Sequence, residues 1–406
     1  MRAYILIHTI FAAAALFFLR LPVAHAGDFP DSLKAAVEAA WQRSPQARTL
    51  EAKRDEILAG HEAARSWIAG SPSIGVSERS DRWNNRAGSR EREISLSAPV
   101  WMPGQVSARR MQADAEAAEL EARIASLRLT LAGEVRERIW AVAAAKESLA
   151  EATLRQNTIE ATAGDVMRRV KAGDLARTDG MLAQQEALAA KAGVVDTQLK
   201  LREALLRFTT LTGITDIPPM EPEPLAAVAV ESHPRLYASK AAVRNAQALL
   251  DVASKTRSEP PTVGVALRRE REAFGGETAS SVTLGIEIPI GTVARSRPLE
   301  TAARTRLATA SAEASQSEAM LQADIALARE QMSASEQALD VSASRVALAR
   351  EHAQLIEKAF RMGERGLADM LRAQSLLHEA EAAERQQRVA LGLARARLNQ
   401  AFGVSP

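Results

Sequence analysis

The sequence contains no cysteine among its 406 residues, and only 4% of the residues are aromatic. A chain without cysteine forms no disulfide and no thiolate metal site, and one so poor in aromatic side chains lacks the bulk that fills thick globular cores. Neither sign of charge predominates, because 52 basic and 50 acidic residues give a net charge of +2. The two signs are interspersed along the chain. No nucleic-acid partner is therefore expected.

The short motifs of common enzymes are absent as well. The chain has no H-E-x-x-H zinc motif, P-loop, dinucleotide fingerprint or nucleophile elbow. Neither catalytic residues nor a cofactor or metal site is therefore predicted. Beyond the N-terminal region the histidines stand singly in polar surroundings and are expected to be solvated: His61, His233, His352 and His378.

A long apolar run stands at the N-terminus, from Ala3 to Leu19. It is followed by Ala24-His25-Ala26, a small-x-small cleavage pattern, so residues 1–26 are expected to be a signal peptide that is removed before Gly27. The chain would then be exported. No cysteine follows the run, which excludes lipid attachment at a lipobox cysteine. An uncleaved membrane anchor is the alternative, because about 17 apolar residues approach the length of a span.

The remaining chain repeats itself at an offset of 189 or 190 residues. Pro45 matches Pro234 (234 − 45 = 189), and Gly173 matches Gly363 (363 − 173 = 190). Matched Pro, Gly and Asp residues follow in a constant order. This order predicts two structural repeats and a proline-rich linker between them: residues 27–213, 233–406 and 214–232.

Each repeat predicts the same series of elements. A helix of about 25 residues leads into two segments with alternating apolar and polar side chains, which predict a β-hairpin. A very long helix follows, about 95–100 Å at 1.5 Å per residue, and a Gly-bearing turn leads into a return helix. Apolar spacings of three and four favour packing of these rods against neighbouring helices. The expected strands are residues 72–80, 91–100, 261–269 and 279–290, and the expected long helices are 104–171 and 298–361, all approximate.

Each expected strand has roughly the 9–11 residues that a tilted strand needs to cross a bilayer. A soluble hairpin packed on helices would show the same alternation. In lipid every strand edge must be paired, and small barrels start at about eight strands. One chain supplies four strands, so a membrane barrel requires several chains. Three copies would supply twelve strands above a second, helical tube.

Several motifs recur in both repeats. They are the helix starts Ser44-Pro45 and His233-Pro234, the strand ends Ala98-Pro99-Val100 and Ile288-Pro289-Ile290, the turns around Gly173 and Gly363, and the closing Leu211-Thr212-Gly213 and Ala401-Phe402-Gly403. With these motifs the mature chain resembles the TolC family of outer-membrane efflux proteins. The resemblance implies a mainly α fold with a small β part, in which a homotrimer forms a twelve-stranded β-barrel and a periplasmic α-helical barrel.

The resemblance also implies a function. The chain would be the outer-membrane channel subunit of a tripartite efflux system, a passive exit duct that docks onto a periplasmic adaptor and an inner-membrane pump of the RND type. It would lie in the outer membrane of a Gram-negative bacterium, in contact with lipid, with a long periplasmic extension. Heavy-metal cations are the expected cargo, with drug efflux and type I secretion as alternatives. A periplasmic coiled-coil adaptor or scaffold is the alternative from a different class.

Residues at the helical tips carry the site predictions. By resemblance, the positions that meet the adaptor are Gly173, Leu175, Gly363, Gly366 and Leu367. The glycines equally suit the local task of ending a helix in a left-handed turn.

Two acidic residues at the starts of the return helices, Asp179 and Asp369, are candidates for a periplasmic gate. A carboxylate near a helix N-terminus is also favoured by the helix dipole for local reasons. Some family members place a second Asp three residues after the position of Asp369, whereas this chain has Arg372 there. An interaction between Asp369 and Arg372 of neighbouring chains is therefore a hypothesis.

Overall fold

The computed structural model describes residues 33–84, 86–217, 223–225 and 230–406. The predicted signal peptide and much of the predicted linker lie outside these ranges. Among the described helices, none is both long and apolar enough to span a membrane. The elements are α1 (Leu33–Arg43), α2 (Pro45–Arg65), β1 (Ser73–Ser80), β2 (Arg90–Pro99), α3 (Gln105–Ala172), α4 (Arg177–Thr212), α5 (Pro234–Lys255), β3 (Thr262–Arg271), β4 (Ala279–Glu287), α6 (Val293–Arg361) and α7 (Leu367–Ala401), with a short 3-10 turn at Val230–Ser232.

The helices that precede the two hairpins start in the same way. Pro45 and Pro234 occupy first-turn positions, where the missing proline N–H costs no helical hydrogen bond. The Ser44 side chain accepts a hydrogen bond from the Ala47 N–H at 3.3 Å. His233 takes the corresponding role, because its Nδ1 accepts the Arg235 N–H at 3.1 Å.

The four strands form one antiparallel sheet in the order β1-β2-β3-β4. Each repeat contributes one hairpin, β1 with β2 and β3 with β4. The two hairpins join through β2 and β3, where Ala98 lies opposite Val263. Strands β1 and β4 are therefore the edges of the sheet.

Four long helices, α3, α4, α6 and α7, form the rods of the structure. The longest, α3 and α6, have 68 and 69 residues, which corresponds to about 100 Å each. Helix α4 returns along α3, α7 returns along α6, and α3 also contacts α7. The lateral order of the rods is thus α4, α3, α7, α6. This architecture confirms the predicted fold class, mainly α with a small β part.

Apolar packing follows the seams between rods instead of forming one central core. One close contact joins α3 to α7, where the Trp140 ring lies against Gly392. A Cβ atom on Gly392 would come within 2.0 Å of that ring. The missing side chain of Gly392 therefore sets the distance between the two repeats at this level.

Two features differ from the sequence expectation. Helix α6 begins at Val293, five residues before the expected start, and contains Pro298 as its sixth residue. Proline is tolerated there because only one main-chain hydrogen bond of the helix is lost, close to its N-terminus. Helix α1 was not anticipated. Its Val37 and Trp41 are buried against the α3 side of the bundle, where Val37 joins a cluster with Val135 and Phe208.

Candidate functional site

One face of the sheet is apolar and exposed. Cross-strand neighbours form continuous apolar rows on this face, for example Ile74, Leu96, Val265 and Leu284. Of these four, Ile74 and Leu284 are 76% and 82% exposed. Apolar side chains occupy every second residue from Val282 to Ile290, and the last two of them, Ile288 and Ile290, follow the end of β4. An apolar face on one side of a sheet is typical of transmembrane strands. Further exposed members of the face are Val76, Ile94, Val263, Leu267, Val282, Ile286 and Ile288.

The opposite face of the sheet carries small and polar residues. Ser73 lies opposite Ser97, which lies opposite Gly264, and the two serine hydroxyls are 2.8 Å apart. Nearer the hairpin loops, the Arg268 guanidinium pairs with Glu91 at 2.8 Å. A sheet with one apolar and one polar face can separate lipid from water.

The far ends of the rods are closed by matching turns. Gly173 and Gly363 adopt left-handed φ angles of +87° and +78°. In each turn the next residue reaches back to close the helix, since the Asp174 N–H bonds the Arg169 carbonyl and the Glu364 N–H bonds the Ala359 carbonyl, both at 2.9 Å. Nothing lies within 4 Å of a Cβ atom built on either glycine. The two turns are therefore open surfaces as well as helix ends.

The other predicted tip residues differ in exposure. Leu367 is only 3% exposed and packs in an apolar cluster with Val166 and Phe360. Leu175 is half-buried against the same cluster. Gly366 is exposed and forms the N-cap of α7. The structure thus brings all five tip residues to the same end of the rods, with the glycines outside and Leu367 inside.

The gate candidates lie one turn beyond the tips. Asp179 is half-buried in the first turn of α4, and Asp369 is exposed in the first turn of α7. Within the chain the Asp369 carboxylate faces Arg365 at 3.8 Å, and both side chains are more than half exposed. Arg372 is exposed close to Asp369 along α7.

A buried polar network anchors the linker to the rods. The Arg136 side chain, 3% exposed, donates two hydrogen bonds to Glu223, at 2.9 and 2.8 Å. It also donates to Gln400 at 2.7 Å and to the Val404 carbonyl at 3.0 Å. Sequence reasoning missed this network, because Glu223 looked like one more polar residue of a proline-rich linker.

The expectation of solvated histidines is wrong for two of the four. His233 and His378 are 3% and 7% exposed. Burial lowers the pKa of the His233 imidazole, and the neighbouring Arg235 charge lowers it further. His378 faces Glu151 at 3.1 Å across the seam between α7 and α3. His233 was marked in the sequence only as part of the helix start His233-Pro234, and no local pattern marks His378.

Comparison with solved structures shows which known proteins share this fold. The chain is similar to the outer membrane protein VceC from Vibrio cholerae (TM-score 0.73, 16% identity, 91% of this chain and 96% of that chain) and to the MtrE outer membrane channel from Neisseria gonorrhoeae (0.72, 18%, 92% and 89%). A structure of CusC is equally similar (0.75, 15%, 91% and 92%). The fold is therefore that of an outer-membrane channel subunit.

Sequence comparison finds a family match over part of the chain. Residues 36–214 match the model of the family described as outer membrane efflux protein. The chain is also 25% identical over 219 residues to the cobalt-zinc-cadmium resistance protein CzcC of Cupriavidus metallidurans, a match that spans about half the length of each protein (51% of both). The resemblance to the outer-membrane efflux proteins is thus confirmed, and the matched family and the MtrE structure are described as efflux and channel proteins, not as enzymes.

Proposed function

We propose that this chain forms the outer-membrane exit duct of an efflux system by closing into a ring of three copies. The proposal rests on the unpaired edges of the sheet and of the row of rods, which neighbouring copies could cover. In the described chain, β1 and β4 are the free edges of the sheet, and α4 and α6 are the outer rods. When two different edges of a subunit bind each other, copies assemble head to tail, and they form a closed ring if the rotation from one copy to the next divides evenly into a full turn. Three copies supply the twelve strands of a small barrel.

The outer rods carry the apolar surface that such a ring would bury. Exposed apolar side chains recur on both rods at spacings of four, seven and eleven residues or their multiples, the pattern of helices that pack side by side. Helices α3 and α6 both run from the sheet to the tips, and α4 returns along α3. Helices α4 and α6 therefore run in opposite directions. The exposed residues are Met181, Leu188, Val195, Leu199 and Leu206 on α4, and Met320, Leu327, Val341, Leu348 and Leu355 on α6.

A fractionation experiment tests this proposal. The full-length protein should be recovered from outer-membrane detergent extracts as a trimer that heat dissociates. Leu188→Glu together with Leu348→Glu places carboxylates in both stripes and should abolish the trimer. The matched change Glu186→Gln with Glu351→Gln alters neighbouring charges but leaves the stripes apolar. Recovery of the unaltered protein as a soluble periplasmic monomer would favour the alternative class, a periplasmic adaptor or scaffold.

The tips are the proposed docking surface for a periplasmic adaptor that is connected to an inner-membrane pump of the RND type. The open turns at Gly173 and Gly363 support this role, while the buried Leu367 would shape the tip from inside. A photo-crosslinking residue at Glu364 should capture an adaptor with a helical hairpin in intact cells. The same residue at Glu313, far along α6, should not capture it. Crosslinks from Glu313 alone would contradict docking at the tips.

Asp369 and Arg372 are proposed to hold the periplasmic end closed by pairing between neighbouring chains. Both side chains are exposed, and the partner of Asp369 within its own chain, Arg365, lies at a loose 3.8 Å. Arg372→Ser should then raise the leak of bulky antibiotics into cells. Arg365→Ser is the matched control and should change the leak less. An unchanged leak in the Arg372 variant would count against this gate.

Heavy-metal cations are the proposed cargo, with the name of the CzcC relative as the support. A strain that lacks this chain should become more sensitive to cobalt, zinc or cadmium salts, and the cloned chain should restore resistance. Sensitivity to organic antibiotics alone would favour drug efflux instead. Loss of one secreted protein without either sensitivity would favour type I secretion.

A further inference from the structure

Three potential metal ligands meet on the seam between α3 and α7. Glu151 comes from α3, whereas His378 and Glu381 lie three residues apart on one face of α7. One ligand atom from each residue lies within 4.8 Å of the other two. His378 Nδ1 and Glu151 Oε1 are 3.1 Å apart. No sequence motif joins residues 227 positions apart, so only the packing of the two repeats creates this cluster.

Two of the three side chains are deeply buried. Glu151 and His378 are 6% and 7% exposed. Glu151 uses Oε1 to face His378, but its Oε2 has no hydrogen-bond partner. The nearest cation to Oε2 is the Arg385 guanidinium, whose Nε lies 3.5 Å away, beyond a good hydrogen bond. A buried carboxylate oxygen without a hydrogen-bond partner costs free energy, and a bound cation would supply the missing partner.

The cavity beside the cluster has an acidic wall, while two guanidinium groups, those of Arg350 and Arg385, contact the ligands from other sides. A cavity of about 390 Å³ between α3, α4 and α7 borders Glu151 and His378 and has room for water ligands. On the other side, the Arg350 guanidinium donates to Glu381 Oε1 at 2.7 Å. Such a contact fixes a carboxylate in the way that outer partners orient metal ligands. The cavity wall carries four carboxylates against one guanidinium: Glu147, Glu151, Asp196 and Glu379 against Arg155.

We propose that Glu151, His378 and Glu381 bind a divalent transition-metal ion of the Zn²⁺ type, with water completing the coordination. One imidazole and two carboxylates form a ligand set that Zn²⁺ accepts, whereas the imidazole disfavours Ca²⁺ and Mg²⁺, which prefer oxygen ligands. The ligands come from the first repeat and from the second. The ion therefore ties the two repeats together about 30 Å from the tips, given 21 residues of α3 between Glu151 and Ala172.

Zinc titration of the purified full-length protein tests the site. The protein in detergent is stripped with EDTA, and Zn²⁺ binding is measured by calorimetry, with the visible absorption of bound Co²⁺ as a second readout. One site per chain is expected. Glu381→Gln and His378→Asn should each weaken Zn²⁺ binding at least tenfold. Glu336→Gln and His352→Asn are the matched controls on exposed side chains outside the cavity and should leave binding unchanged.

Thermal unfolding provides a measurement of the tie itself. Zn²⁺ at about 100 times its dissociation constant should lower the unfolded fraction about 100-fold, because it binds only the folded state. Mg²⁺ should have no such effect. The Glu381 variant keeps the fold testable, since this side chain is 16% exposed and not part of an apolar cluster.

The proposal is overturned if the stripped protein binds no Zn²⁺, or if Glu381→Gln and His378→Asn bind it as tightly as the unaltered protein. Loss of binding in His352→Asn would equally overturn it. The channel proposal stands or falls separately, because trimer formation and fractionation are measured without added metal.

Discussion

The packing of Gly392 against Trp140 gives a stringent test of the seam between the two repeats. In Gly392→Ala the new methyl group would lie 2.0, 2.3 and 2.7 Å from three carbons of the indole ring. An ordinary contact requires at least 3.4 Å, so the ring or the helix must move by more than 1 Å. Trp140 is 8% exposed and has little free space.

The expected magnitude follows from two opposing effects. Overpacking of this severity costs about 3 kcal/mol, the upper end of the usual range. Alanine in place of glycine within a helix returns about 1 kcal/mol. The free energy of unfolding should therefore fall by about 2 kcal/mol per chain. Gly60→Ala in α2 is the matched control, because nothing lies within 4 Å of the added methyl, and it should gain up to about 1 kcal/mol.

Far-UV circular dichroism of the purified variants during denaturant or thermal unfolding measures these differences. A double variant, Gly392→Ala with Trp140→Leu, removes the ring that the methyl would strike. In the Trp140→Leu background the added methyl should therefore cost much less than in the unaltered chain. The reasoning is refuted if Gly392→Ala is as stable as Gly60→Ala, or if removal of the ring leaves the cost of the methyl unchanged.

Three further predictions concern other parts of the chain. The pKa of His233 is lowered in the folded state, so the unfolded state binds the proton first as the pH falls. The free energy of unfolding should therefore decrease below about pH 6.5. His233→Asn keeps a helix cap and should weaken this pH dependence in unfolding measurements. Arg136→Ala removes a buried cation from Glu223, whose side chain is 18% exposed, and should cost about 3 kcal/mol in the same assay. Pairing it with Glu223→Leu should recover part of the loss. Leu284→Arg on the apolar sheet face should cost about 2–4 kcal/mol in lipid, whereas Thr283→Arg on the polar face should be tolerated; equal effects would contradict the assignment of the two faces.

Local patterns in the sequence predicted the elements well because they depend on neighbouring residues. Alternation at period two marked the four strands, and the apolar face observed on the sheet has the phase of Ile74 and Ile94. Gly173 and Gly363 marked the turns, since a left-handed φ is the conformation glycine adopts at least cost. Helix α1 escaped prediction because it has only 11 residues.

The exposure of a candidate site residue could be predicted only where its own segment of the chain determines it. Leu367 and Leu188 are both leucines on return helices, yet the first is 3% exposed and the second 69%. Their difference depends on which rods lie beside them, not on their own helices. The same holds for His378, which looks like a solvated histidine until α3 brings Glu151 to it.

The sequence by itself determined the duplication, the order of strands and helices, the turns and the resemblance to outer-membrane efflux proteins, because each of these depends on spacing along the chain. The tertiary structure decided the lateral order of the rods, the exposure of their apolar stripes and the two polar clusters around Arg136 and Glu151. Those two clusters join residues 87 to 268 positions apart, and the burial of a side chain there depends on which surfaces pack against it.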